Sequence, residues 1–237
     1  MSDTRAAGRF YKEAAAVAHR DAFQVALDGR PVKTPGGQPL LLPGEPLAVA
    51  VAAEWAAQGE KIQPATMPMM QLACTAVDRV GPSRGAIVRE TANYGGNDLL
   101  CYRADDPPDL VKRQAEAWQP VLDWLADEMG APLACTVGVT HVVQPAAALE
   151  RLRACVAAYD DFQLTGVAQL TQVLGSLALA LAVERGRLNW GDAAAASLLD
   201  ETFQSERWGE DKEARERRRA IHGEAEAAAR FLELLGD

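Results

Sequence analysis

Twenty consecutive residues, Leu164 to Val183, carry no charge, and any fold of this chain has to take them out of water. The run is long enough to cross a bilayer. Thr165, Gln169, Thr171, Gln172 and Ser176 interrupt it, however, and Glu184-Arg185 follows at once. Polar groups of this kind are satisfied by neighbouring helices in a core and poorly by lipid. The segment Phe162 to Glu184 therefore reads as one helix, apolar nearly all round, at the centre of a bundle. Stable membrane insertion is not expected, and the protein should be soluble.

A helix buried on every side needs others packed on it, and the second half of the chain supplies them. Leu110 to Met129 puts Trp118, Val121, Leu122, Leu125 and Met129 on one face. Pro120 lacks an amide donor and predicts a kink or a division there, and Gly130 suits the C-terminal cap. Pro145 to Tyr159 carries Leu149, Leu152 and Val156 at helical spacing. An alanine-rich helix is expected from Asn189 to about Arg207, and a last one from about Gly209 to Leu235. In that last helix Ile221, Ala225, Ala228, Leu232 and Leu235 form one narrow seam, whereas Asp211 to Arg219 has almost no apolar face.

The N-terminal side follows a different period. Phe23-Gln-Val-Ala-Leu27 alternates, and Asp28-Gly29 tolerates the positive φ of a type I′ hairpin turn. Arg30-Pro-Val-Lys33 returns, and Thr34-Pro-Gly-Gly37 turns again before Leu40-Leu-Leu42. Pro46 opens a helix in which Leu47, Val51 and Trp55 share a stripe. That stripe reads Trp55 as core, with Glu54 and Gln58 flanking it. Trp55 beside Lys61-Ile-Gln-Pro64 would also suit the rim of an apolar groove, since tryptophan is favoured at interface centres. From Gln63 the chain starts extended around Pro64 and Pro68 and turns helical from about Met69. A short helix follows over Arg84 to Tyr94. Asp98-Leu-Leu-Cys-Tyr-Arg103 reads as a buried strand, with Leu133 to Val137 as its candidate partner. The fold class is α+β: an N-terminal α+β domain with a hairpin over residues 1–85, then a helical bundle over 86–237.

Formal charge is −9, which disfavours nucleic-acid and anionic membrane partners because both need Lys and Arg to neutralise them. The cysteines Cys74, Cys101, Cys135 and Cys155 are far apart with no C-x-x-C pair. They read as reduced core residues in a reducing compartment. Residues 1–10 have no apolar core and contain an acid, so neither a secretory signal nor a transit peptide is expected.

Catalytic motifs are missing. There is no Gly-Lys dipeptide and hence no P-loop, so the protein is expected neither to bind nor to hydrolyse ATP. Ser176 sits inside the apolar run, where a nucleophile would lack access. None of His19, His141 and His222 has a second ligand at metal-binding spacing. A Cys135–His141 pair exists only on paper. Glu206, Glu210 and Glu213 fall at i, i+4, i+7 and would share a face if a helix continued through Gly209. Such carboxylates can do acid–base work, or can solvate a helix through pairs such as Glu213–Arg217 and Asp211–Arg215. Trp208-Gly209 within this charged run suggests a bent, partly exposed joint.

Several segments in order resemble one family, the assembly chaperones for the α subunit of the F-type ATP synthase head, found in mitochondria and alphaproteobacteria. They are Arg9-Phe-Tyr-Lys12, Asp28-Gly-Arg-Pro-Val-Lys-Thr-Pro35, Glu54-Trp55 with Gln58, Met67-Pro68, Asp98-Leu-Leu-Cys-Tyr-Arg103, Trp118 with Pro120, Leu174-Gly-Ser-Leu177, and Phe203-Gln-x-x-x-Trp-Gly209. Asn93 to Asn97 is looser than the acidic segment the family pattern has before Asp98, and Asp211-Lys-Glu-Ala-Arg215 departs from its tail. The resemblance implies an orthogonal arrangement of the C-terminal bundle, no catalytic residues, no cofactor and no metal. It implies a monomeric bacterial cytoplasmic protein, with relatives in the mitochondrial matrix, that covers apolar surface on the ATP synthase α subunit until assembly. The expected contact residues are Glu54, Trp55, Gln58, Glu201, Gln204, Glu206, Trp208, Gly209 and Glu210. The alternative is a small-molecule enzyme or ligand-binding protein using the carboxylates near Trp208.

Overall fold

The computed structural model describes residues 8–236. The fold is α+β, and the chain divides into two compact units. The first takes the residues up to Arg84 with 161–165 and the chain from 230 onward; the second takes 85–160 and 166–229.

In the first unit β1 (Ala14–His19), β2 (Ala22–Leu27) and β3 (Arg30–Pro31) form an antiparallel sheet in that order. Asp28 and Gly29 both have positive φ, 47° and 78°, as a type I′ turn requires. The Asp28 carboxylate also accepts the amides of Glu13 and Lys12 at 2.9 and 3.0 Å, and these donors hold it below the usual carboxylate range. The strand β1 is alanine-rich, a composition depleted in sheets; its register comes from pairing with β2, His19 against Ala22. Helix α1 (Glu45–Ala56) lies on β1 and β2. It buries Leu47, Ala48 and Val51 completely. Trp55, one turn further on, is only half-buried, so the core stripe ends at Val51. Helix α2 (Pro68–Thr75) starts one residue before the expected Met69 and runs into a wider turn over Ala76–Val80.

The second unit is a helical bundle led into by α3 (Gly81–Asn93). Its long helix α4 (Pro108–Met129) runs through Pro120 without division and stops at Gly130, φ 62°. Trp118, Val121, Leu122 and Leu125 are buried along one side. Residues 99–101 form a single 3-10 turn rather than a strand, capped by Asp98. Only β4 (Tyr102–Arg103) is extended, and it pairs in parallel with β5 (Thr136–Val137). Helix α5 (Ala146–Ala158) lies close to its expected bounds.

The uncharged run is two helices, α6 (Asp161–Leu174) and α7 (Leu177–Glu184). Gly175 adopts φ 65° between them, a conformation that ends helices readily only for glycine. Ser176 then caps α7 by accepting the Leu179 amide at 3.0 Å. The alanine-rich segment also divides, into α8 (Trp190–Ser197), capped by Asn189, and α9 (Leu199–Trp208). The last helix, α10, covers Lys212–Leu235.

Cys74 and Cys101 are buried as expected, but Cys135 is exposed and Cys155 partly so. Burial pushes the Cys101 thiol up to about 12 and that of Cys74 to about 11. Among the described residues no helix is long and apolar enough to cross a membrane.

Candidate partner-binding surfaces

The joint after α9 is set by backbone geometry. Gly209 has φ 85° and ψ 163°, a region open to glycine and costly for other residues. The helix stops there, so Glu206, Glu210 and Glu213 do not share a helical face. Each of the three carboxylates expected as contact residues in the second unit, Glu201, Glu206 and Glu210, instead meets an arginine of this chain. Glu206 pairs with Arg113 of α4 at 2.7 Å, and Glu201 with Arg217 of α10 at 2.5 Å. Glu210 meets both Arg215, at 3.1 Å, and Arg218. These two guanidiniums, Arg215 first, hold Glu210 below the ordinary carboxylate range. Asp211 accepts the Ala214 amide at 2.7 Å instead of pairing with Arg215. Arg207 and Arg113 lie over the Phe203 ring, 4.4 and 5.3 Å from its centroid.

What this network leaves uncovered is aromatic. Trp208 is 77% exposed, Gln204 is exposed beside it, and Glu201, Glu206 and Glu210 are already paired within the chain. A general acid would need a carboxyl held protonated near neutral pH, whereas Glu210 is shifted the other way. The surface is suited to contact through a large amphipathic ring with a polar surround.

In the first unit Glu54, Trp55 and Gln58 have distinct roles. Both Glu54 oxygens accept backbone amides at the start of α2, from Met69 at 2.7 Å and Met70 at 2.8 Å. A carboxylate at a helix N-terminus is favoured by those donors; burial nonetheless raises the Glu54 pKa. Gln58 is buried and donates to the Glu54 carbonyl at 3.0 Å and to Thr66 at 3.1 Å. Its Oε1 accepts the Gln63 amide at 2.7 Å. Both side chains therefore fasten the segment between α1 and α2. Trp55 is different. Its ring meets Tyr11 edge-on at 5.6 Å, and it lines a cavity of about 580 Å³ with Ile62, Met67 and Met70. The cluster Met67-Pro-Met-Met70 is a signal from which that cavity could have been found; the arginines that meet Glu201 and Glu206 left none, because their pairing depends on helix packing.

The rim of this cavity is tied down. Asp78 accepts the Thr34 hydroxyl at 2.6 Å and the Gly36 amide at 2.8 Å. A Cβ on Gly36 would sit 2.6 Å from Asp78 Oδ1. Gly36→Ala is therefore expected to displace the carboxylate, release the turn and cost about 1–3 kcal/mol, the usual range for overpacking. Chemical denaturation checks this, and an unchanged midpoint would show that the turn yields freely.

Residues 8–126 match the family of the ATP12 chaperone protein. The chain belongs to that family. Among solved structures it is similar to Atp12 from Paracoccus denitrificans, at 44% identity and a TM-score of 0.93, covering 97% of this chain and 98% of that one. A single-substitution variant of P. denitrificans Atp12p matches at 44% identity and TM-score 0.94, over 99% of this chain and 100% of that one. Protein atp12, mitochondrial, of Schizosaccharomyces pombe is 24% identical over 220 residues, which cover 88% of this chain and 76% of the relative. Membership of the ATP12 chaperone family accounts for the order of the motifs from Arg9 to Gly209.

Proposed function

We propose that this ATP12-family chaperone assists assembly of the F-type ATP synthase and that its client is the α subunit. It would act as a monomer in the bacterial cytoplasm, covering apolar surface on the new α subunit that a neighbouring subunit later occupies, and so limit aggregation. The observation that carries this reading is the match to Paracoccus Atp12 over nearly the whole chain. The exposed Trp208 ring at a fixed glycine joint supports it as a contact point, with Glu201, Gln204, Glu206, Gly209 and Glu210 around it. The purified chain and α subunit should elute from gel filtration as a one-to-one complex, and the chain should suppress aggregation of α on dilution from denaturant. Absence of both would end the client assignment.

Trp208→Ala separates binding from folding. Surface changes away from special features usually stay within about 0.5 kcal/mol, so melting should hardly move. A tryptophan at the centre of an interface is worth about 2 kcal/mol or more, so capture of α should fall about thirtyfold. Undiminished capture would remove the joint from the contact surface.

A further inference from the structure

We propose that the cavity walled by Trp55, Met67 and Met70 is a docking groove for an apolar peptide segment flanked by carboxylates. That the segment belongs to the client rests on the function proposed above; its chemistry rests on the groove alone.

The floor is apolar and adaptable. Ile62, Met67 and Met70 lie under the opening with Trp55 at its wall. Flexible thioether side chains are characteristic of surfaces that accommodate varied apolar segments, and a volume of about 580 Å³ lies within the usual range for ligand sites, about 300–1,000 Å³. Trp55 adds a second observation. Its indole Nε1 is, among the described residues, the buried side-chain polar atom left without a hydrogen-bond partner. An unpaired buried donor is unfavourable, so the indole stands at this wall at a cost to stability.

The rim fixes the sign of the occupant's charge. Lys33 and Arg79 line the opening, both are exposed, and neither forms an ion pair among the described residues. The acid between them, Asp78, is engaged by Thr34 and Gly36. With Asp78 as the one anion among them, Lys33 and Arg79 leave the opening net positive in a chain of net charge −9, and they select an anionic flank by complementarity. An amphipathic segment with alternating apolar and acidic residues meets these features: apolar anchors for the floor and carboxylates for Lys33 and Arg79.

The test uses the full chain and a short fluorescein-labelled peptide of leucine, phenylalanine and glutamate, together with its counterpart carrying lysine for each glutamate. Fluorescence anisotropy should show the glutamate peptide bound about tenfold tighter or better. Lys33→Gln with Arg79→Gln should level the two affinities, and Lys33→Glu with Arg79→Glu should invert them. Both pairs are exposed, and unchanged circular dichroism would confirm intact folding. Equal binding of the two peptides by the wild type, no binding of either, or a preference that ignores the charge changes would overturn the groove. So would a wild-type dimer that the charge reversal dissociates, since the occupant would then be a second copy. A wild type that prefers the glutamate peptide but fails to capture α subunit would keep the groove and remove the client assignment. Capture of α that the glutamate peptide displaces would support both.

Discussion

Replacing Asp98 by alanine is expected to cost the second unit roughly 3 kcal/mol or more, because it strands several buried donors at about 1–3 kcal/mol each. Asp98 is fully buried. Its Oδ1 accepts the Ser176 hydroxyl at 2.7 Å and the Leu100 amide at 3.1 Å, and its Oδ2 accepts the Ala178 amide at 3.0 Å. One carboxylate thus caps the turn at 99–101 and sits at the start of α7, joining segments far apart in sequence. Asp98→Asn preserves the shape, yet in either orientation its NH2 faces a backbone N–H, so it too should destabilise, by less than alanine. Burial raises the Asp98 pKa above 3.8 in spite of its donors. A raised folded-state value means that protonation favours the fold: this contribution is fully present below 3.8 and is lost as pH rises through the folded pKa. On acidification from the folded pKa toward 3.8, the stability gap between wild type and Asp98→Asn should therefore widen in favour of wild type. Urea unfolding at a series of pH values measures it, and a gap that narrows would show that the donors outweigh burial.

Asp98 also marks where sequence reading stops. The Asp28-Gly29 turn was legible because its demand is local: two adjacent residues must take positive φ, and these two can. The stripe on α4 was legible because helical period alone places Trp118, Val121, Leu122 and Leu125 together. The break at Gly175 was not, since an uncharged run gives periodicity no contrast and the carboxyl group that fixes the start of α7 lies 80 residues before the amide it accepts. Alanine hid β1 in the same way, by lacking any preference for strand. At the candidate surfaces, sequence identified Trp208 and Gly209 as a joint but gave the wrong partners for its acids. Helix packing brings Arg113 to Glu206 and Arg217 to Glu201, and no spacing rule within one helix could have found them. Glu54 and Gln58 stand beside Trp55 in the sequence, and only the folded chain separates the two that fasten a loop from the one that walls a cavity.

Trp118→Ala is expected to be as damaging as the loss of Asp98, for a different reason. The ring is 1% exposed, and Arg103 lies over it at 5.3 Å from the centroid. Its Nε1 donates to the Ala196 carbonyl at 2.9 Å, tying α4 to α8 within the second unit. Truncation removes the largest fully buried side chain of the described core and leaves a cavity that neighbours fill only in part, a change that costs about 3–5 kcal/mol. Trp118→Phe separates the two contributions. Phenylalanine keeps much of the packing and loses the hydrogen bond, whose net worth is about 0.5–1.5 kcal/mol; the smaller ring adds a partial cavity. The alanine variant should therefore unfold at markedly lower urea concentration than the phenylalanine variant, with wild type highest. If the two variants were equally destabilised, the bond to Ala196 would dominate over packing, and α4 would be held to α8 chiefly through one indole N–H. If phenylalanine matched wild type, neither the bond nor the extra volume of the indole would contribute to stability, and packing common to both aromatic rings would hold α4 in place.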